Sequence, residues 1–183
     1  MEIRQAKPSE IKAVQSLDGL MWEDGFQHYD ELYGMYPEGI WVAVENSQIA
    51  AYIGAERIAQ RQLRVGVDSG YERSLPPWDH DPGQFHNSAG DVLYILGHGV
   101  AEESRNRGIS NKLITAFLQE ARKKRFQMAA VNHNLRHPQI RNPEEVWGKH
   151  GFNPLVYTYD PRWKHDADKP VDGSVVWAVY FHK

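Results

Sequence analysis

The chain has 183 residues, a mass of 21.1 kDa and a formal net charge of −3 at neutral pH. A slightly acidic protein has no general attraction for nucleic acid, and the absence of cysteine excludes disulfides, thiolate metal ligands and a cysteine nucleophile. No apolar segment approaches the ~20 residues that span a membrane and no signal peptide is evident, so we expect a cytoplasmic protein. The length fits one domain over residues 1–183, large enough to bury a core without disulfide or metal staples.

The first half of the chain predicts a short strand, two helices and a hairpin. Apolar residues recur at helical spacing after Pro8, and aromatic residues do so before Pro37. Two alternating segments flank Asn46 and Ser47, a pair that favours a hairpin turn. We expect residues 18–25 to form a loop between the helices. The expected bounds are 2–4 for the first strand, 8–17 and 26–36 for the helices, and 40–45 and 48–58 for the hairpin strands.

The second half predicts a long connection over 60–90, followed by four strands and two helices. Asn142 is a favourable N-cap for the second of these helices, Glu145 is at its capping-box position, and Gly151 ends it. The expected bounds are 91–100, 128–131, 152–159 and 174–181 for the strands, and 110–124 and 143–150 for the helices.

The turn between the strand that ends at Val100 and the helix that begins at Ser110 predicts a phosphate site. Gly108 lies where the backbone must turn tightly or approach a ligand. The free N–H groups and the positive dipole end at the start of a helix both favour an anion there. The turn lacks the GxxxxGK[ST] pattern of a P-loop and the three glycines of GxGxxG, so neither nucleotide motif applies. An ordinary strand-to-helix connection is the alternative.

The turn resembles the pyrophosphate loop of the GNAT superfamily of N-acetyltransferases, whose pattern is Arg or Gln, two residues, Gly, one residue, then Gly or Ala. Arg105, Gly108 and Ser110 occupy the patterned positions, and only the serine departs from it. Gly151-Phe152 matches the pair that closes the family's second cofactor motif. The order of predicted elements, β-α-α-β-β-β-α-β-α-β-β, is that of the same fold.

The resemblance implies an α/β fold of the α+β type. Its central sheet is mixed, largely antiparallel and of about seven strands, is flanked by about four helices, and is splayed at the fourth strand. The resemblance also implies acetyl-CoA, or a close acyl-CoA, as the acyl-donor cosubstrate. The acetyl group would pass to a primary amine of a small molecule or peptide by direct transfer in a ternary complex. A homodimer stays open, because nothing in the sequence specifies an interface.

The implied cofactor site combines backbone amides with a few side chains. The amides of the loop, helped by Arg105 or Arg107, would hold the pyrophosphate, and a backbone N–H near Gly99 or Val100 would face the thioester carbonyl. Gly97 and Gly99 mark either a bulge with close ligand approach or a weakened edge. Asn142 competes with Asn134 for the family's helix-start asparagine, and Trp147 aligns where the family usually places a tyrosine near the CoA sulfur. The complete cofactor set is Gly99, Val100, Arg105, Asn106, Arg107, Gly108, Ile109, Ser110, Asn142 and Trp147.

His98 is the candidate catalytic base. Strict alternation puts it on one face of its strand with Val92, Tyr94, Leu96 and Val100, and an imidazole pKa of about 6.5 suits a base near neutrality. The alternative is a structural histidine. Tyr94 occupies the position from which a glutamate acts in many family members, so it is expected to line the acceptor pocket or fill the core.

The leaving thiolate lacks an evident acid, because an indole N–H donates a hydrogen bond but transfers no proton. His150, Tyr157 and Tyr159 are weak alternatives to the usual tyrosine. The departures at Trp147 and Tyr94 motivate a second hypothesis, a catalytically impaired acyl-CoA-binding module of the same fold.

The acceptor site is expected beneath the 18–25 loop and the 60–90 connection. Tyr94, Trp22, Glu23 and Trp78 are the candidate substrate-binding residues, and the 60–90 connection is expected to roof the site. The cluster Asp79, His80, Asp81 and His86 suggests a metal-dependent hydrolase as a third hypothesis. Its spacing matches no strong ligand motif, so we expect no metal.

Overall fold

A seven-stranded sheet positions the candidate site. The computed structural model describes residues 1–21, 26, 28–60, 62–63, 82–134, 142–158 and 174–181. The strands are β1 (Glu2–Gln5), β2 (Ile40–Glu45), β3 (Gln48–Ile58), β4 (Val92–Val100), β5 (Met128–Asn134), β6 (Asn153–Thr158) and β7 (Ser174–Tyr180). The α-helices are α1 (Ile11–Met21), α2 (Tyr29–Met35), α3 (Pro82–Phe85), α4 (Ile109–Lys123) and α5 (Pro143–Val146). Short 3₁₀ turns cover Pro8–Glu10, Pro37–Gly39, Glu102–Ser104 and Gly148–His150.

The sheet has the order β1-β2-β3-β4-β5-β7-β6 and is mixed. Strand β4 pairs with β5 in parallel, whereas the other neighbouring strands are antiparallel. The parallel pairing runs only from Val92 to Ile95 on β4, although both strands continue beyond it. The two strands therefore diverge and leave a wedge-shaped gap, as the resemblance implied for the fourth strand.

Helices cover both faces of the sheet. On one face α4 buries Leu113, Phe117 and Leu118 against β2, β3, β4 and β5. On the other face α1 and α2 bury Ile11, Val14 and other apolar side chains against β2 and β3. We call these the α4 face and the α1–α2 face. No helix in the described part of the chain has the length and apolar character needed to cross a bilayer.

The predicted elements are largely confirmed, apart from shifts of up to three residues at some ends and four larger differences. Helix α1 continues to Met21 through the first residues of the expected 18–25 loop, and β5 extends three residues beyond the expected end. The expected 143–150 helix divides into α5 and a 3₁₀ turn, and α3 lies inside the expected 60–90 connection. Hydrogen bonding explains the extra length of β5, because residues 128–134 all pair with β7. The short apolar run that predicted this strand gave no sign of the pairing.

A bulge in β4 overturns the expected alternation along that strand. Gly54 pairs with Gly97 while its neighbour Ala55 pairs with Ile95, so Leu96 is an extra residue in β4. The extra residue reverses the face on which the following side chains lie. Tyr94 therefore packs on the α1–α2 face whereas His98 faces α4, and the prediction that they share a face is wrong.

Candidate active site

The loop before α4 has the geometry of an anion site. Asn106 and Gly108 have positive φ values of 62° and 73°, which turn the chain sharply into the helix. The loop residues are exposed, and a Cβ built on Gly108 would meet nothing within 4 Å. The first N–H groups of α4, from Ile109 and Ser110 onward, have no partner within the helix. The loop therefore offers open space beside free amides, which is what a diphosphate needs.

Two arginines flank this loop and are already engaged. The Arg105 Nε donates to the carbonyl of Val100 at 3.3 Å, and its Nη2 lies 3.3 Å from the sulfur of Met21. The Arg107 guanidinium pairs with the carboxylate of Glu45 at 2.8 Å. The Arg107 side chain is exposed and Glu45 is partly buried, so solvent screens the pair from the arginine side and a bound phosphate can compete for the arginine.

The register of β3 and β4 decides which amides face the gap. Ala101 N–H donates to the carbonyl of Ala50 at 2.9 Å, which makes these two a hydrogen-bonded pair. Such pairs alternate along an antiparallel ladder, so the Gly99 N–H also points to β3. The N–H groups of His98 and Val100 point the other way, into the gap. Of the two amides expected near the thioester, those of Gly99 and Val100, only that of Val100 points into the gap.

On the α4 face, the partly buried side chains of His98 and Ser110 meet the buried side chains of Trp147 and His133. The His98 Nε2 lies 3.1 Å from the Ser110 hydroxyl, and its ring packs edge-on against Trp147 with centroids 5.5 Å apart. The Trp147 indole N–H donates to Nδ1 of His133 at 3.3 Å. Trp147 is buried with Phe152 in the core beneath α4.

Both histidines of this cluster are neutral at physiological pH. Burial, with smaller contributions from the nearby His150 and His133, lowers the pKa of His98 to about 4. Burial also lowers the pKa of His133 to about 4 and shifts that of His150 downward. A neutral imidazole with so low a pKa is a weak proton acceptor but a good hydrogen-bonding partner. The geometry thus suits positioning better than proton abstraction.

On the α1–α2 face, three polar side chains pack against the glycines of β4. Asp18, in the last turn of α1, is 1% exposed and accepts hydrogen bonds on Oδ1 from the hydroxyls of Tyr29, at 3.1 Å, and Tyr52. A Cβ on Gly97 would collide with the Tyr29 hydroxyl and lie 2.8 Å from Asp18 Oδ1, and one on Gly99 would lie 2.6 Å from the Tyr52 ring. The glycines therefore make room for this cluster, so close packing, and not a weakened edge, explains them.

A second buried polar group lies further along the same face. Glu56 on β3 is opposite Tyr94 on β4, and both are at most 1% exposed. Burial raises the pKa of Tyr94 well above its usual value, the Glu56 carboxylate raises it further, and a hydrogen bond with Asn132 on β5 opposes the shift. Tyr94 is therefore a neutral, buried hydroxyl packed among Ile58, Val92 and Met128.

The structure gathers some predicted residues and leaves others apart. His98, Ser110 and Trp147 meet, whereas Asn142 is exposed and caps α5 by accepting from the Glu144 N–H at 3.0 Å. Three of the four substrate-binding candidates, Trp22, Glu23 and Trp78, lie outside the described residues, as do Tyr159 and the metal candidates Asp79, His80 and Asp81. Among the described residues no cluster of three or more His, Asp or Glu side chains has the arrangement of a metal site.

Sequence reasoning missed Asp18 and His133. Asp18 continues the apolar stripe of α1, seven residues after Ile11 and four after Val14, so its place on the buried face could have been read from the helical period. His133 lay beyond the expected end of β5, and no signal in the sequence placed it near Trp147.

Comparison with known proteins identifies the family. The model of the acetyltransferase (GNAT) family matches residues 10–142, and the chain belongs to this family. A comparison with curated proteins finds no match.

Solved structures share the fold. The GNAT-like decarboxylase GphF in complex with isobutyryl-CoA is 20% identical with a TM-score of 0.71, over 98% of this chain and 99% of that one. The loading GNATL domain of CurA from Lyngbya majuscula is 16% identical with a TM-score of 0.69, over 98% and 96%. The ribosomal-protein-S18-alanine N-acetyltransferase from Escherichia coli is 9% identical with a TM-score of 0.64, over 98% and 92%. At these identities the likeness concerns the fold alone.

Proposed function

We propose that this protein is an acetyl-CoA-dependent N-acetyltransferase that acetylates a primary amine by direct transfer in a ternary complex. The observation that carries the proposal is the gap between β4 and β5, which has the loop and the first turn of α4 on its α4 face and the buried polar cluster of Asp18, Tyr29 and Tyr52 on its α1–α2 face. Two substrates approaching from opposite faces would meet where the Val100 N–H points.

The donor half of the reaction uses the loop and strand β4. The amides at the start of α4, with Arg105 or Arg107, would hold the pyrophosphate of acetyl-CoA. The pantetheine would then follow β4, whose unpaired edge offers the backbone groups of His98 and Val100. The Val100 N–H would donate to the thioester oxygen as negative charge develops on it.

The chemical step forms one bond and breaks another. The neutral amine nitrogen attacks the thioester carbon, the C–N bond forms, and the C–S bond breaks as the thiolate leaves. The nitrogen gives up a proton and the thiolate gains one, so the products are the acetylated amine and CoA thiol. On the α4 face, the neutral imidazole of His98 would keep Ser110 and Trp147 in place beside the cofactor, a positioning role that we propose in place of the expected base.

A paired assay tests this function. We expect calorimetry to show binding of acetyl-CoA, and a thiol-release assay over a panel of primary amines to show turnover with at least one of them. Arg107→Ala should weaken acetyl-CoA binding about tenfold by removing a phosphate contact. The matched control, Lys123→Ala, removes an exposed cation from the far end of α4 and should leave binding unchanged. Binding without thiol release for any amine would overturn the proposal and favour the acyl-CoA-binding module.

Acyl-CoA decarboxylation is the second candidate function. Its support is the likeness to GphF, together with a cluster on the α4 face of neutral histidines and a hydroxyl that need no amine to act. Malonyl-CoA is the probe: release of carbon dioxide with the thioester intact would support decarboxylation. Recovery of unchanged malonyl-CoA alongside acetylation of an amine would exclude it.

A further inference from the structure

The carboxylate of Asp18 has an unusual setting for a buried acid. A buried carboxylate normally pairs with a cation, because removing an isolated charge from water is costly. Among the described residues, Asp18 accepts hydrogen bonds only from neutral groups: the hydroxyls of Tyr29 and Tyr52 and the backbone N–H of Phe26. Arg105 approaches α1 at Met21, yet no ion pair joins it to Asp18.

The location of this carboxylate gives it a role in the proposed reaction. Asp18 packs directly on Gly97, and β4 is the strand whose far edge borders the gap. Neighbouring strands lie about 4.8 Å apart, so the Asp18 carboxylate is within about two strand spacings of the gap between β4 and β5, where the amine would approach. It also lies on the α1–α2 face, opposite the loop that would hold the phosphates.

The hydrogen-bond donors keep the acid ionised. Burial raises the pKa of Asp18 to about 6, whereas the hydroxyls of Tyr52 and Tyr29 and the N–H of Phe26 lower it and so limit the rise. The groups that face Asp18 come from α2, from β3 and from β4, where the contacts are glycines without ionisable side chains. At neutral pH the α1–α2 face therefore carries a negative charge that no described cation neutralises.

We propose that Asp18, held by Tyr29 and Tyr52 against Gly97, selects a cationic acceptor by placing a negative charge, which no described cation neutralises, on the α1–α2 face of the gap. This inference rests on the proposed function and names the class of acceptor: an amine that arrives as an ammonium ion. Asp18 acts at a distance through its field and is a specificity-determining residue, not a catalytic one.

Matched acceptors test the proposal. Benzylamine is an ammonium ion near pH 7.5 and aniline is neutral, although the two are close in size. Two unit charges about 8 Å apart at an effective dielectric constant near 20 correspond to a change of about 30-fold. We expect Asp18→Asn to raise KM for benzylamine by about that factor, with little change in kcat, in KM for aniline, or in the Kd for acetyl-CoA.

Asp30→Asn is the control variant, because it removes an exposed carboxylate from α2 in the same helical layer. It should change KM for benzylamine by less than about threefold, since solvent screens an exposed charge. Equal losses for benzylamine and aniline in Asp18→Asn, or a loss of acetyl-CoA binding, would show a merely structural role and overturn the inference.

Tyr52→Phe provides an independent test that keeps the carboxylate. Removing this donor raises the pKa of Asp18, so the pH below which KM for benzylamine increases should move upward from about 6. If the pH dependence of KM for benzylamine does not move in Tyr52→Phe, the inference is refuted. This test does not require that Asp18→Asn folds. If wild-type protein acetylates neither these two amines nor any other in the panel, the proposed function itself is wrong. Wild-type turnover that prefers aniline would refute the inference alone.

Discussion

Replacing Asp18 with asparagine should stabilise the protein at alkaline pH. The native pKa of Asp18 is raised from 3.8 to about 6, so the folded protein holds this proton more tightly than the unfolded chain does. Below about pH 4 both states are protonated and the group costs nothing. As the pH rises through 6 the folded protein must bury an ionised carboxylate, and the penalty is complete above that value.

The size of the effect follows from the shift. About two pKa units correspond to about 3 kcal/mol between the two protonation states. Asparagine carries no charge at any pH, and its Oδ1 still accepts from Tyr29 and Tyr52. Its amide N–H₂ gains a buried donor that needs a partner, which costs about 1 kcal/mol. We therefore expect a net gain of about 2 kcal/mol at pH 8, or about 4–8 °C in Tm for a chain of this length.

Thermal unfolding followed by circular dichroism measures this gain. Wild type and Asp18→Asn are compared at pH 8 and pH 5, with Asp30→Asn as the exposed control that should match wild type at both values. The advantage of Asp18→Asn should be largest at pH 8 and should shrink or reverse at pH 5. An advantage independent of pH, or a variant less stable than wild type at pH 8, would show that Asp18 is not buried as a charge.

Three further predictions concern strand β4 and the loop before α4. Gly97→Ala should destabilise the fold by about 2–4 kcal/mol, because the added methyl would meet the Tyr29 hydroxyl and the Asp18 carboxylate. The control Gly83→Ala adds a methyl in open space and should cost under about 1 kcal/mol. Equal melting temperatures for the two variants would contradict this packing. Gly108→Ala should weaken acetyl-CoA binding at least about threefold in calorimetry, because a positive φ of 73° strains alanine and displaces the loop amides; wild-type affinity would remove the loop from the cofactor site. His98→Gln should leave the pH dependence of kcat/KM for the amine unchanged, since the side chain faces Ser110 on the α4 face and the amine is proposed to approach from the α1–α2 face; loss of a pH inflection would restore His98 as the base.

The alternating and helical patterns predicted most of the architecture because both report directly on burial. The hairpin turn at Asn46 and Ser47 has the positive φ values of 49° and 64° that such a pair accommodates, and Gly151 ends its turn with φ of 85° as expected. The tight turn before α4 was also predictable, since Gly108 has the positive φ that glycine adopts more easily than other residues; its phosphate role stays a prediction.

The rest depended on contacts that a single sequence does not display. The bulge at Leu96 arises from the pairing with β3, so alternation along β4 alone placed His98 on the wrong face. Asp18 was expected in the 18–25 loop, whereas it lies on the buried face of α1, a place that aspartate occupies less often than loops and helix ends. Its burial depends on hydroxyls from Tyr29 and Tyr52, which are 11 and 34 residues away in the chain.

The extra residue in β4 also sets the phase of everything that follows it. Deletion of Leu96 would move every later side chain of β4 to the opposite face of the sheet. The His98 imidazole would then clash with Tyr29 and Tyr52, and the glycines of β4 would lie under α4 in its place. Length at this point is therefore more tightly constrained than residue type. In an alignment of related chains, the part of β4 before Leu96 and the part after it are therefore best aligned separately, with the bulge as the boundary.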